Sequence, residues 1–299
     1  MKILLFGKNG QLGWELQRAL SPLGELIALD RYGDGVLCGD LTHLDGLAQT
    51  IRSVAPDVVV NAAAYTAVDK AETETSLASL INSQAPQVLA QEAAALDAWL
   101  LHYSTDYVFE GCGSKPWEES DPTKPINYYG QSKLEGEKAI QESGCKHLIF
   151  RTSWVYGYQG NNFVKTILRL AQEREVLNIV ADQIGAPTGA DLLADISAQS
   201  LSTAFINAEL GGLYHLAPCG EISWYDYANF IVNTARTFGQ SFLVKAINPV
   251  QSSDYKTAAK RPFNSRLATA KLAQNFSLNL PHWEPGVVRM LKGILGNIQ

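Results

Sequence analysis

Lys2-Ile3-Leu4-Leu5-Phe6-Gly7-Lys8-Asn9-Gly10-Gln11-Leu12-Gly13 is the stretch on which the fold turns. The apolar run 2–6 is too short for a buried helix and reads as a buried strand. Leu12, Leu16 and Leu20 recur at four-residue spacing and predict a helix over 11–20. Between the two lie glycines spaced Gly-x-x-Gly-x-x-Gly. Such a loop turns tightly and lets a pyrophosphate approach the backbone at the positive N-terminus of the helix. The loop, with Gly7, Asn9 and Gly10, is therefore a candidate dinucleotide site. Asp30 ends a second apolar run, 25–29, and stands where an acid would bind adenosine ribose hydroxyls. Arg31 beside it could instead pair with a 2′-phosphate, so NADH and NADPH both stay open.

The same alternation continues outward. A helix around 43–54 precedes a strand at 57–60. An alanine-rich helix over 77–95 precedes a strand at 98–103. A Gly/Pro-rich loop runs to about 126, a helix carrying Tyr129 and Lys133 extends to about 142, and 147–151 forms a fifth strand. Continuously apolar strands separated by helices predict an α/β fold, a Rossmann-type doubly wound parallel sheet. Beyond 152 the rhythm is less regular, with helices expected over 163–171, 190–204 and 224–238 and a loop over 182–189. This predicts an NAD(P)-binding domain over 1–151. Residues 152–299 would form a smaller α/β C-terminal substrate domain, interleaved with the first.

Composition narrows the class. The chain has 299 residues, is 46% hydrophobic and 18% charged, and carries a net charge of −6. No broad cationic footprint for nucleic acid is expected. Cys38, Cys112, Cys145 and Cys219 are scattered without a Cys-x-x-Cys, which predicts free thiols. The five histidines form no close pair, which argues against a histidine metal site. The N-terminal apolar run is too short for a signal peptide, and no segment approaches the ~20 apolar residues of a membrane span. A cytoplasmic protein with no membrane partner is the expectation.

Tyr129 and Lys133, four residues apart, share one helix face. A free tyrosine titrates near pH ~10, and a neighbouring ammonium favours the phenolate and lowers that value. Such a pair can donate a proton to a ketone being reduced. Asp40, Leu41, Ala62, Ala63 and Ala64 follow further strand ends, where ligands lie in open α/β sheets.

With the glycine loop, Asn61-Ala62-Ala63, Ser104-Thr105-Asp106 and Tyr129/Lys133 in order, the chain resembles the extended short-chain dehydrogenase/reductases. Ser104-Thr105-Asp106-Tyr107-Val108-Phe109, Arg151-Thr152-Ser153-Trp154-Val155-Tyr156-Gly157, Asp182-Gln183-Ile184-Gly185-Ala186-Pro187-Thr188 and Arg261-Pro262-Phe263-Asn264-Ser265-Arg266-Leu267 narrow the likeness to the dTDP-4-dehydrorhamnose reductase family. The resemblance implies reduction of the 4-keto group of dTDP-6-deoxy-L-lyxo-4-hexulose. It places Gly10, Gln11 and Leu12 on the dinucleotide backbone, Asp30 on the ribose, Asp40 and Leu41 on the adenine side, and Ala62, Ala63 and Ala64 along the middle. It places Thr105 and Tyr129 on the substrate carbonyl, Lys133 on the nicotinamide ribose and Trp154 in the sugar pocket. Arg261 could grip the diphosphate, and Asp106 would stand beside the substrate without a catalytic role. Related 4,6-dehydratases carry Asp-Glu after the threonine; Tyr107 occupies the glutamate position here. Some members bind Mg²⁺ through acids at a homodimer interface. Glu15 and Asp191 match, but Gly293 falls where the third acid belongs, so that metal site is incomplete.

Two other readings stand beside reduction. One is a non-catalytic dinucleotide-binding subunit like the β subunit of methionine adenosyltransferase. The other is an epimerase or reductase acting on a different nucleotide sugar.

Overall fold

The computed structural model describes residues 1–296. Five apolar runs become parallel strands: β1 Lys2–Phe6, β2 Glu25–Leu29, β3 Val58–Asn61, β4 Trp99–Thr105 and β5 Lys146–Thr152. Successive side chains of β1 and β3 point to opposite faces. Ile3, Leu5, Val58 and Val60 join Leu12, Leu16 and Leu20 of helix α1, Gln11–Leu20, and Leu193 of the helix Ala190–Ile206. Leu4, Phe6 and Val59 meet Leu47 and Ile51 of helix α2, Leu44–Val54, and Leu89 of the helix Ala85–Ala95. Every position of the β1 and β3 apolar runs from Ile3 and Val58 onward is thus covered, which is why they are apolar throughout.

The sheet order, counted from one edge, is Gly212–His215, β5, β4, β3, β1, β2. The order reverses between β3 and β1, so their C-terminal ends open a crevice. The sixth strand comes from beyond residue 152 and pairs in parallel with β5. The helix Ala190–Ile206 likewise returns to pack on α1. The remaining second-half residues build a separate core in which Val164, Ile167, Tyr227, Ile231, Trp283 and Val287 are buried. A parallel pair of strands, Val176–Val180 and Ala246–Val250, lies beside that core. These strands were not expected from the sequence.

The alanine-rich helix also departs from expectation. It is interrupted by a π turn, Leu80–Gln84, ahead of Ala85–Ala95. Pro86 has no N–H to offer the Asn82 carbonyl and its ring crowds that oxygen. The released carbonyl is where Gly136 packs; a β-carbon at Gly136 would overlap it. Among the described residues, all four cysteines are free and no helix is long and apolar enough to cross a membrane.

Candidate active site

The glycine loop closes the crevice at the end of β1. Gly7 has φ +90°, a left-handed conformation that favours glycine. A β-carbon there would lie 2.8 Å from the Ala63 nitrogen. Gly7 and Lys8 both donate N–H groups to the Leu29 carbonyl, at 2.9 and 3.1 Å, tying the loop to β2. Gly10 caps α1 and brings no side-chain acceptor to its first-turn N–H groups, and the first turn holds no acid. That arrangement suits a diphosphate. Asn9 Nδ2 donates to Asp30 Oδ2 at 2.9 Å, and Arg31 Nε meets Asp40 Oδ2 at 3.2 Å.

Helix Tyr128–Glu142 forms the opposite wall. Asn127 caps it by accepting from the Gly130 N–H at 2.8 Å, and its Nδ2 donates to the Lys260 carbonyl at 2.8 Å. Gly130 lets the first turn press on the Tyr107 carbonyl, which a β-carbon would overlap. The Tyr107 and Tyr129 rings meet edge to face at 5.7 Å.

One cavity of about 1100 Å³ takes in both walls. Gly7, Asn9, Gly10, Gln11, Leu12, Asp30, Arg31, Asp40, Leu41, Ala62, Ala63 and Ala64 line one arm. Thr105, Asp106, Tyr129, Lys133 and Trp154 line the other. Arg261 is not among the lining residues; its guanidinium is held by Asp69 at 2.7 and 3.2 Å. Sequence reasoning gave no role to Trp224, which stacks on Trp154 at 3.5 Å, nor to the hydroxyls of Ser104, Thr152 and Ser153. Those three hydroxyls and Asp106 Oδ2 are buried without a protein partner among the described residues. A polar ligand would satisfy them.

Burial dominates the electrostatics. It pushes the Tyr129 phenol up to about 12, Asp106 adds to the rise, and the Thr105 hydroxyl opposes it. The lowering expected from Lys133 does not prevail. Lys133 Nζ donates to the Tyr103 carbonyl at 2.6 Å and stands 3.2 Å from His102 Nε2. Burial lowers Lys133 itself to about 8, against a raising influence from Glu137. Asp106, 2% exposed, is pushed up to about 7 by burial, while the neighbouring Ser265 and Thr105 hydroxyls oppose the rise.

Glu15 and Asp191 are each engaged by an arginine, Arg18 and Arg289 respectively. Among the described residues no three His, Cys, Asp or Glu side chains gather into a metal cluster.

A parallel sheet with a glycine loop after its first strand, facing a Tyr-x-x-x-Lys helix across the switch-point crevice, defines a dinucleotide-dependent oxidoreductase of the short-chain dehydrogenase/reductase type. Within that class the chain belongs to the RmlD substrate binding domain family, whose model matches residues 1–295. A dTDP-4-dehydrorhamnose reductase of Escherichia coli is 55% identical over 291 residues, 97% of each chain. The crystal structure of such a reductase from Clostridium acetobutylicum superposes with a TM-score of 0.88 at 34% identity, covering 98% of this chain and 99% of that one. A Bacillus anthracis dTDP-4-dehydrorhamnose reductase in complex with NADP gives 0.87 at 36% identity, with the same coverage.

Proposed function

We propose that this chain reduces the 4-keto group of dTDP-4-dehydro-6-deoxy-L-mannose, the L-lyxo-4-hexulose, to dTDP-L-rhamnose. NADPH or NADH is the reductant and Tyr129 the proton donor. The observation that carries this reading is the meeting of the glycine loop with Thr105, Tyr129 and Lys133 in one cavity. The substrate follows from the names of the relatives.

A nicotinamide dinucleotide bound in the crevice supplies the hydride. The first turn of α1 holds its diphosphate through backbone N–H groups, and Asp30 takes the adenosine ribose. Asn9 and Lys8 keep Asp30 in place, and Arg31 gives the same end a cation for a 2′-phosphate. Lys133 serves the nicotinamide ribose. As negative charge grows on the sugar C4 oxygen, the Thr105 and Tyr129 hydroxyls hold it, and Tyr129 gives up its proton. A phenol near 12 retains its proton until an alkoxide develops beside it. Trp154, braced by Trp224, forms an apolar wall for the deoxysugar. Tyr107, in the position of the dehydratase glutamate, offers no carboxylate for water elimination.

The test is incubation with the 4-keto-6-deoxy-L-lyxo-hexulose nucleotide and either cofactor, with no partner protein. Stoichiometric cofactor oxidation and a rhamnosyl product by NMR are expected. Bound cofactor without net oxidation would instead indicate an epimerase or a non-catalytic subunit.

A further inference from the structure

Lys133 stands at the end of a buried side-chain chain that begins at Asn61. Asn61 Nδ2 lies 3.2 Å from His102 Nδ1, and His102 Nε2 lies 3.2 Å from Lys133 Nζ. Asn61, His102 and Lys133 are 1%, 1% and 2% exposed. The Ala63 N–H, donating to Asn61 Oδ1 at 3.2 Å, fixes which end of the amide faces His102. A flipped amide would set its NH₂ against that N–H, donor against donor. Asn61 therefore donates to His102 Nδ1. A neutral imidazole then carries its one proton on Nε2, facing Lys133. Burial holds His102 well below the usual histidine range, so the ring is neutral.

An ammonium at Lys133 would meet the Nε2–H as donor against donor. A neutral amine meets it as acceptor and still donates to the Tyr103 carbonyl. We propose that Asn61 and His102 form a positioning relay that favours the neutral amine of Lys133 over its ammonium in the cofactor-free protein. Lys133 Nζ takes a proton from solvent when a dinucleotide brings acceptor oxygens to it. His102 is thereby a positioning residue acting through Lys133.

The other charges around Lys133 do not restore the ammonium. Glu137, on the same helix, favours it, but both Glu137 oxygens are bound by Arg151 of β5, at 2.9 and 2.6 Å. Tyr129, on the same helix, and Tyr103, from β4, are phenols pushed upward by burial and stay neutral. Asp106, just beyond β4, leans toward its neutral form, and none of its hydrogen bonds goes to Lys133.

The test is a titration of ¹³Cε-labelled lysine in the cofactor-free protein, with Lys133 identified by the signal missing from Lys133→Met. The expected midpoint is about 8 or lower. His102→Gln places an amide that can turn its oxygen to the ammonium, without adding charge. Asn61→Asp keeps an acceptor for the Ala63 N–H and reverses the His102 tautomer. Each should raise the midpoint by about one pH unit or more. Cofactor binding at pH ~8.5 should take up more than about half a proton, read by calorimetry in buffers of different ionisation enthalpy. A wild-type midpoint near the ordinary value of ~10.4 overturns the proposal, as does a folded variant that leaves it unmoved or lowers it. So does cofactor binding without proton uptake. No sugar substrate enters the test, so its outcome is separate from that of the proposed reduction.

Discussion

Glu137 and Arg151 close a two-pronged ion pair, Oε1 to Nε at 2.9 Å and Oε2 to Nη2 at 2.6 Å, one helical turn beyond Lys133. Their side chains are 1% and 5% exposed. The pair pins the helix of Tyr129 and Lys133 to β5, so the crevice wall depends on a contact outside it. Removing one partner leaves a buried charge alone. Glu137→Gln should cost about 3–5 kcal/mol in urea unfolding. Replacing both residues by methionine should recover most of that loss. A single substitution with an unchanged midpoint would show that the pair does not hold the wall.

The glycine loop separates binding from folding. Gly13 packs on the loop itself, and a β-carbon there would overlap the Gly7 carbonyl oxygen. At Gly10 a β-carbon comes no closer than 3.3 Å to that oxygen. Gly10→Val should abolish measurable cofactor binding and leave the melting temperature within a few degrees of the parent. Gly13→Ala should lower stability by about 1–3 kcal/mol. Unchanged NADPH affinity in Gly10→Val would remove the loop from the cofactor site.

Strands β1 to β5 were legible because each is an apolar run bounded by polar or turn residues, and α1 and α2 because their leucines repeat at helical spacing. The edge strand Gly212–His215 was not: four residues starting at a glycine carry no periodic signal. Gly10, Asp30, Thr105, Tyr129 and Lys133 were readable from motif and order. His102 was not, because its meeting with Lys133 depends on how a helix lies on a strand. Trp224 was hidden for the same reason, since its stack on Trp154 joins residues seventy positions apart.

Asp106 should make stability depend on pH. Its folded-state value is raised to about 7, chiefly by burial. A raised carboxyl contributes stability that is full below pH ~4 and is lost as pH climbs through the folded value. Asp106→Asn removes that loss. Relative to the parent, the variant should gain about 1–3 kcal/mol between pH 5 and pH 8 by chemical denaturation. An equal difference at both pH values would mean that Asp106 is not held neutral by burial.

The diphosphate contact expected of Arg261 from the sequence would require it to leave its pair with Asp69. Arg261→Ala should raise KM for the sugar nucleotide by about tenfold with kcat little changed. Asp69→Ala frees the guanidinium and should not raise KM. A rise of equal size in both variants would assign the pair to loop structure alone.

The central claim is that Tyr129 gives the proton that completes reduction at C4. Steady-state reduction of the 4-keto sugar nucleotide by Tyr129→Phe, with NADPH affinity measured on the same preparation, tests it most directly. The expected result is a fall in kcat of about 10²–10⁴-fold with cofactor affinity within about twofold of the parent. Near-normal turnover by the phenylalanine variant would contradict it.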